Sequence, residues 1–99
     1  MTSTSFNIND PNIHTGYYDK NSASSLSNAV ESMFADLPAN MGFNIVMKYS
    51  NAKYYCCGMK ISNDYGCVLH SAYFGGYPLR YSAVNSGTWT HKIVSLGNL

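Results

Sequence analysis

Phe43-Asn44-Ile45-Val46-Met47-Lys48-Tyr49 repeats with period two: Phe43, Ile45, Met47 and Tyr49 share one face, and Asn44 and Lys48 lie on the other. Such alternation marks a half-buried strand, because successive side chains of an extended chain point to opposite sides. Ser50-Asn51-Ala52 follows with turn chemistry, and Lys53 to Ser62 resumes the extended pattern, so the two runs read as a hairpin. Within the second run Tyr54 and Tyr55 face opposite ways, as do Cys56 and Cys57, and Gly58 marks a bulge or a point of close approach.

Toward the C-terminus the pattern continues. Asn63-Asp64 turns the chain, Tyr65 to Phe74 forms the next strand, and Gly75-Gly76-Tyr77-Pro78 turns it again. Leu79 to Val84 is a further strand, Asn85-Ser86-Gly87 a further turn, and Trp89 to Val94 closes the sheet. Strands recurring about every ten residues between Gly and Asn turns indicate antiparallel pairing.

Toward the N-terminus the period changes. Leu26, Ala29, Val30, Met33, Phe34 and Leu37 form the apolar ladder of one helix face. Ser25 or Asn28 caps its start, and Pro38 stops it and biases Leu37 away from helical geometry. Ile13 to Tyr18 reads as a short edge strand interrupted by Gly16, after a turn at Asp10-Pro11-Asn12 and a polar lead-in over residues 1–10. The expected architecture is mainly β (α+β): an antiparallel meander or small sandwich with a short N-terminal strand and one short helix packed on it. A chain of 99 residues holds this in a single domain, spanning 11–99.

Composition narrows the function. Charged residues are only 11% of the chain, and polarity comes instead from 11 Asn, 13 Ser and 5 Thr. A formal net charge of +1 gives no electrostatic footprint for nucleic acid or an anionic membrane. No apolar run reaches the roughly 20 residues that span a bilayer. Met1 to Asn12 holds no Lys or Arg and no apolar stretch, so no secretion signal is expected. Cys56, Cys57 and Cys67 are odd in number, so they read as small apolar fillers of a chain folded under reducing conditions, with a Cys57–Cys67 or Cys56–Cys67 disulfide as the alternative.

His14, His70 and His91 are widely separated and read as structural or surface histidines; no metal site is expected. The five acids Asp10, Asp19, Glu31, Asp36 and Asp64 form no paired motif for glycoside hydrolysis. The chain has no Gly-x-Ser-x-Gly elbow, and Gly75-Gly76 lacks the lysine and helix of a phosphate-binding loop. No enzyme and no cofactor are expected. What stands out is the aromatic load, carried mainly by nine tyrosines, which combine an apolar face with a polar tip and suit neutral polar ligands such as glycans. Tyr73, Phe74 and Tyr77, flanking the glycine turn, are the candidate ligand-binding residues, with Arg80 and Tyr81 on the strand that follows. Many rings and few charges also leave apolar surface for a partner.

The closing string Gly87-Thr88-Trp89-Thr90-His91-Lys92 resembles the last strand of the pyocin-knob-type domains of phage tail fibres. Asn12-Ile13-His14-Thr15-Gly16-Tyr17-Tyr18 is similar to their opening segment, and Ala35-Asp36-Leu37-Pro38 leading into Phe43–Met47 keeps their order. The stretch Ser22 to Asp36 is longer and more helical than in that family, and Tyr55-Cys56-Cys57 stands where its central strand is rich in Gln. The resemblance implies structural anchors at Trp89, Gly87, Gly16 and Tyr18. It further implies a non-catalytic receptor-binding module of a phage tail fibre, tailspike or tail-like bacteriocin, made in the bacterial cytoplasm and displayed on the virion tail. Such modules act as homotrimers that meet bacterial envelope glycan. The alternatives are a structural spacer or trimerisation domain and a small cell-wall-sugar hydrolase.

Overall fold

Alternation and turn chemistry build one sheet. The computed structural model describes residues 13–95, so the turn at Asp10-Pro11-Asn12 and the polar lead-in lie outside the described residues. The elements are β1 (Ile13–Asp19), α1 (Leu26–Asp36), β2 (Met41–Tyr49), β3 (Ala52–Ser62), β4 (Tyr65–Ala72), β5 (Arg80–Asn85) and β6 (Thr88–Ile93). They form a six-stranded sheet in the order β1-β2-β3-β4-β5-β6. The meander from β2 to β6 is antiparallel throughout, as the turn spacing predicts.

The N-terminal strand departs from that pattern: β1 pairs with β2 in parallel, with Gly16 opposite Ile45, so the sheet is mixed. The cause is the connection. A helix lies between β1 and β2, and a crossover of that length returns the chain in its original direction. A single sheet with α1 on one face replaces the small-sandwich alternative.

Tight turns set the register. Ser50 and Asn51 both have positive φ (51° and 63°), as do Ser86 and Gly87 (50° and 78°), the conformation that matches the twist of a two-residue hairpin. Gly58 stands in regular register between Phe43 and Val68, so close approach rather than a bulge explains it; the register slips between Lys60 and Ser62 instead.

Helix α1 starts at Ser25, whose hydroxyl accepts from the Asn28 amide at 3.1 Å. It ends at Leu37, which is extended (φ −76°, ψ 150°) ahead of Pro38. Its buried stripe of Ala29, Val30, Met33 and Phe34 packs on the sheet face formed by Phe43, Ile45, Met47, Tyr54, Cys56, Val68 and Val84. Tyr54 is buried there and Tyr55 is exposed on the other side, as the alternation requires.

Of the anchors implied by the resemblance, Trp89 packs edge-on against Phe34 at 5.1 Å and stacks on His91 at 5.7 Å. Tyr18 packs on the core and shares a 2.8 Å hydrogen bond with His14, across the space that Gly16 leaves open. Gly87 supplies the positive φ of the last turn. Trp89→Ala is expected to cost about 3 kcal/mol, since it removes the ring that covers Phe34. An unchanged urea midpoint would show that the indole is dispensable.

Candidate functional site

The Tyr73–Leu79 connection between β4 and β5 carries the aromatic candidates. Its glycines let the chain turn sharply, Gly76 at φ +83°. Tyr73 meets Phe74 edge-on at 5.5 Å, Phe74 meets Tyr77 at 5.5 Å, and Tyr77 meets the buried Tyr54 at 5.4 Å. Tyr54 in turn lies 6.4 Å from Tyr49. The rings thus form a continuous ladder from the core outward, edge to face from Tyr54 to Tyr73 and tilted between Tyr49 and Tyr54.

Arg80 lies over the Tyr77 ring, with its guanidinium carbon 5.5 Å from the centroid. Burial raises the pKa of the Tyr77 hydroxyl, and the Arg80 charge opposes that rise. The loop is therefore held from below by packing. Tyr73, at the outer end, is 77% exposed.

Beside Tyr73 stands the β2–β3 turn. Asn51 is fixed there by Asn21, whose side-chain oxygen accepts from the Asn51 amide at 2.7 Å while its side-chain nitrogen donates to Asn51 Oδ1 at 3.2 Å. Between turn and loop a shallow groove of about 380 Å³ is lined by Asn51, Lys53 and Tyr73. It adjoins a second groove of about 260 Å³ on the uncovered sheet face, where Val46, Tyr55, Ser71 and Tyr73 contribute walls. Tyr55 is 54% exposed, and its hydroxyl donates to Asn44 Oδ1 at 2.8 Å. Two ring faces, an ammonium and a carboxamide around a shallow depression can stack a pyranose and bond its hydroxyls.

The five ligand-binding candidates separate. Tyr73, Phe74 and Tyr77 come together in the ladder, and Arg80 braces Tyr77 from the helix side of the sheet. Tyr81 alternates with Arg80 and so faces the other side. Tyr55, Lys53 and Asn51 join Tyr73 without having been singled out in the sequence.

A second constellation also escapes the sequence. Glu31 Oε2 lies 2.7 Å from His91 Nε2, His91 Nδ1 lies 2.8 Å from Ser82 Oγ, and Ser82 Oγ lies 3.2 Å from His70 Nε2. With Glu31 accepting, His91 donates through Nε2 and accepts the Ser82 hydroxyl proton at Nδ1, and Ser82 accepts from His70 Nε2–H. His70 Nδ1 is left as a buried atom with no hydrogen-bond partner. The order Ser–His–Glu is that of a nucleophilic triad. Ser82, however, is 1% exposed, and the adjoining cavity of about 10 Å³ holds no more than a water, so no acyl group reaches Oγ in this conformation. What the chain of bonds does is tie β4, β5 and β6 to α1.

Burial of His70 makes the fold acid-sensitive. His70 is 3% exposed, and its pKa is pushed down to about 4 by burial, then by the charges of Arg80 and His91. The folded value lies below the roughly 6.5 of the unfolded chain. Unfolded protein therefore takes up the proton first, and stability that is full above pH ~6.5 is lost as pH falls toward 4. The expected loss from His70 is about 3 kcal/mol across that window. Urea unfolding at several pH values checks it: His70→Gln should flatten the pH dependence relative to the parent, and an identical slope would remove His70 as the cause.

The described acids lie apart. Asp36 pairs with Lys20, Glu31 belongs to the half-buried end of the chain of bonds, Asp19 accepts from the Asn21 amide, and Asp64 sits in the β3–β4 turn. None of the four lines the cavity or the grooves. The three thiols are unpaired, Cys56 buried and Cys57 and Cys67 half-buried on the opposite face. Comparison with protein-family models, with curated proteins and with solved structures gives no match to this chain.

Proposed function

We propose that this chain is a non-catalytic adhesion module that binds neutral glycan in the groove between Tyr73, Lys53 and Asn51. The observation that carries the reading is Tyr73, the most exposed ring of the ladder, held in place by the rings beneath it and set beside donors and acceptors. A platform fixed before the ligand arrives spares the ordering cost of binding. Low charge fits a partner whose recognition is by stacking and hydroxyl contacts.

With the resemblance to pyocin-knob-type domains, the ligand class is bacterial envelope glycan and the setting a phage tail fibre or tailspike, acting as a homotrimer. Each site is weak by itself, and copies in one assembly raise the effective concentration.

An array of envelope polysaccharides, read with the oligomeric protein, tests this. Tyr73→Ala is expected to leave unfolding unchanged, since the ring contacts little but Phe74, and to weaken glycan binding about tenfold per site. A blank array with intact protein would favour a structural spacer, and full binding by Tyr73→Ala would move the site elsewhere.

A further inference from the structure

Where the first turn of α1 meets the sheet there is a small polar cavity. Its lining includes Ser27 of the helix, His70 of β4, Arg80 and Ser82 of β5, and His91 and Lys92 of β6. His70 and Arg80 stand directly opposite each other in the β4–β5 register, so their side chains leave the same face as neighbours, with Cβ atoms about 5 Å apart. Each brings a buried nitrogen without a hydrogen-bond partner among the described residues, Nδ1 of His70 and Nε of Arg80. His70 as a whole is almost entirely buried.

The two nitrogens are complementary. Arg80 Nε always carries its proton and can only donate. The His70 end is set by the bonds beyond it. Glu31 takes the Nε2 proton of His91, His91 Nδ1 takes the Ser82 hydroxyl proton, and the Ser82 oxygen is left to accept from His70 Nε2–H. Burial keeps the His70 pKa down at about 4, so the ring is neutral near pH 7. A neutral imidazole that donates through Nε2 carries a lone pair at Nδ1. One buried atom therefore has a hydrogen bond to give and the other has one to receive.

We propose that this cavity is a binding site for a single water molecule, which accepts from Arg80 Nε–H and donates to His70 Nδ1. Size selects the ligand, because a volume of about 10 Å³ suits one water and leaves no room for an oxyanion. Chemistry selects it as well. An anion would face the Nδ1 lone pair, and a cation would face the charges of Arg80 and Lys92. Water both accepts and donates, and two polar partners meet the minimum that a buried water needs. It relieves the desolvation penalty of both nitrogens at once. The buried Tyr77 hydroxyl, which also lacks a partner, is not part of this lining, and the site does not serve it.

The water lengthens the chain of bonds by two links. It then runs from Arg80 through the water, His70, Ser82 and His91 to Glu31 on α1. Because Arg80 also lies over the Tyr77 ring, the extended chain ties the helix to the base of the ring ladder. The tautomer of His70 is held from both sides, with Ser82 accepting at Nε2 and the water donating at Nδ1. None of this depends on whether the Tyr73 groove binds glycan.

Two measurements on the full chain near pH 7 test the site, and a variant adds a third. A high-resolution crystal structure should show one ordered water within about 3.2 Å of both His70 Nδ1 and Arg80 Nε, and a crystal grown in bromide should give no anomalous peak there. Nitrogen NMR of histidine-labelled protein should find His70 protonated at Nε2 and not at Nδ1. Arg80→Met keeps most of the stem and removes the donor, so relaxation dispersion of the water signal should count one long-lived water fewer than in the parent. Bromide in the cavity, a dry cavity, a direct Arg80–His70 bond or a proton on His70 Nδ1 overturns the proposal. So does an unchanged water count in folded Arg80→Met; if that variant does not fold, the two measurements on the parent decide.

Discussion

Lys60→Met is expected to lower unfolding free energy by about 4 kcal/mol and to loosen the last turn of helix α1 before the rest of the fold. Lys60 is 3% exposed, on the helix side of β3, where Cys56 and Gly58 precede it in alternation. Its ammonium donates to the carbonyls of Phe34 at 2.8 Å, Ala35 at 3.2 Å and Leu37 at 2.7 Å. They belong to the last turn, where carbonyls run short of helical donors; the Phe34 oxygen also accepts from the Leu37 amide at 3.1 Å. A left-handed glycine cap would ordinarily serve, but Pro38 holds Leu37 extended and forecloses it.

A cation from the sheet takes that role and meets the negative end of the helix dipole. Burial pulls the Lys60 pKa down from its ordinary value, with the Asp36 carboxylate opposing. Methionine matches the length and apolar stem but donates nothing, so the Ala35 and Leu37 carbonyls lose this donor and that of Phe34 keeps only the Leu37 amide, while the cost of burying the charge is recovered. The first effect is the larger because three bonds go at once. Chemical denaturation gives the magnitude, and hydrogen exchange at Phe34 to Leu37 gives the location. A variant as stable as its parent would mean that the carbonyls find other partners.

That contact shows where sequence reading ran short. Period-two alternation within β3 carries Lys60 to the same face as Cys56, but nothing in the sequence says that a helix end waits above it. The antiparallel strands of the meander were legible because Ser50-Asn51 and Ser86-Gly87 are two-residue turns that also fix register. The second of them places Ser82 opposite His91, so that pair was available to a reading that carried the register through. Glu31 was not, since its partner depends on how α1 rotates over the sheet. The direction of β1, which the expected architecture left open, follows from strand–helix–strand order. At the candidate site, Tyr73 stood out as a ring beside a glycine turn, whereas Asn51 and Lys53 reach it only because the β2–β3 turn and the β4–β5 loop share one end of the sheet.

The Glu31–His91–Ser82–His70 chain of bonds and the Lys60 contact have one physical consequence in common. Glu31 of helix α1 bonds to β6, and the helix's C-terminal carbonyls bond to β3. The helix is therefore positioned by polar bonds at two points as well as by its apolar stripe. Apolar burial alone tolerates sliding, and directional bonds select one placement.

Packing beneath the helix sets the tightest limit, and Gly58→Ala is expected to cost about 4 kcal/mol, enough to unfold a marginal domain. A Cβ built at Gly58 would stand 2.1 Å from the Cys67 carbonyl oxygen and 3.0 Å from its carbonyl carbon, with Phe43 Cζ at 3.1 Å. The first two are backbone atoms of the paired strand, so relief requires β3 and β4 to part. That would disturb the ladder at the centre of the sheet, where Phe43, Gly58 and Val68 stand in register. Gly42 offers a milder comparison, since its Cβ would meet the end of the Ile13 side chain at 3.0 Å and the Gly58 carbonyl oxygen at an ordinary 3.6 Å. Gly75 offers the control, with nothing within 4 Å of the added methyl group. The same chemical change at the two extremes isolates the steric cause: Gly75→Ala should unfold within about 0.5 kcal/mol of the parent, and Gly58→Ala should fail to give a cooperative transition or give one shifted far downward. Equal midpoints for the two variants would mean that the strands separate at little cost and that glycine at 58 has another reason.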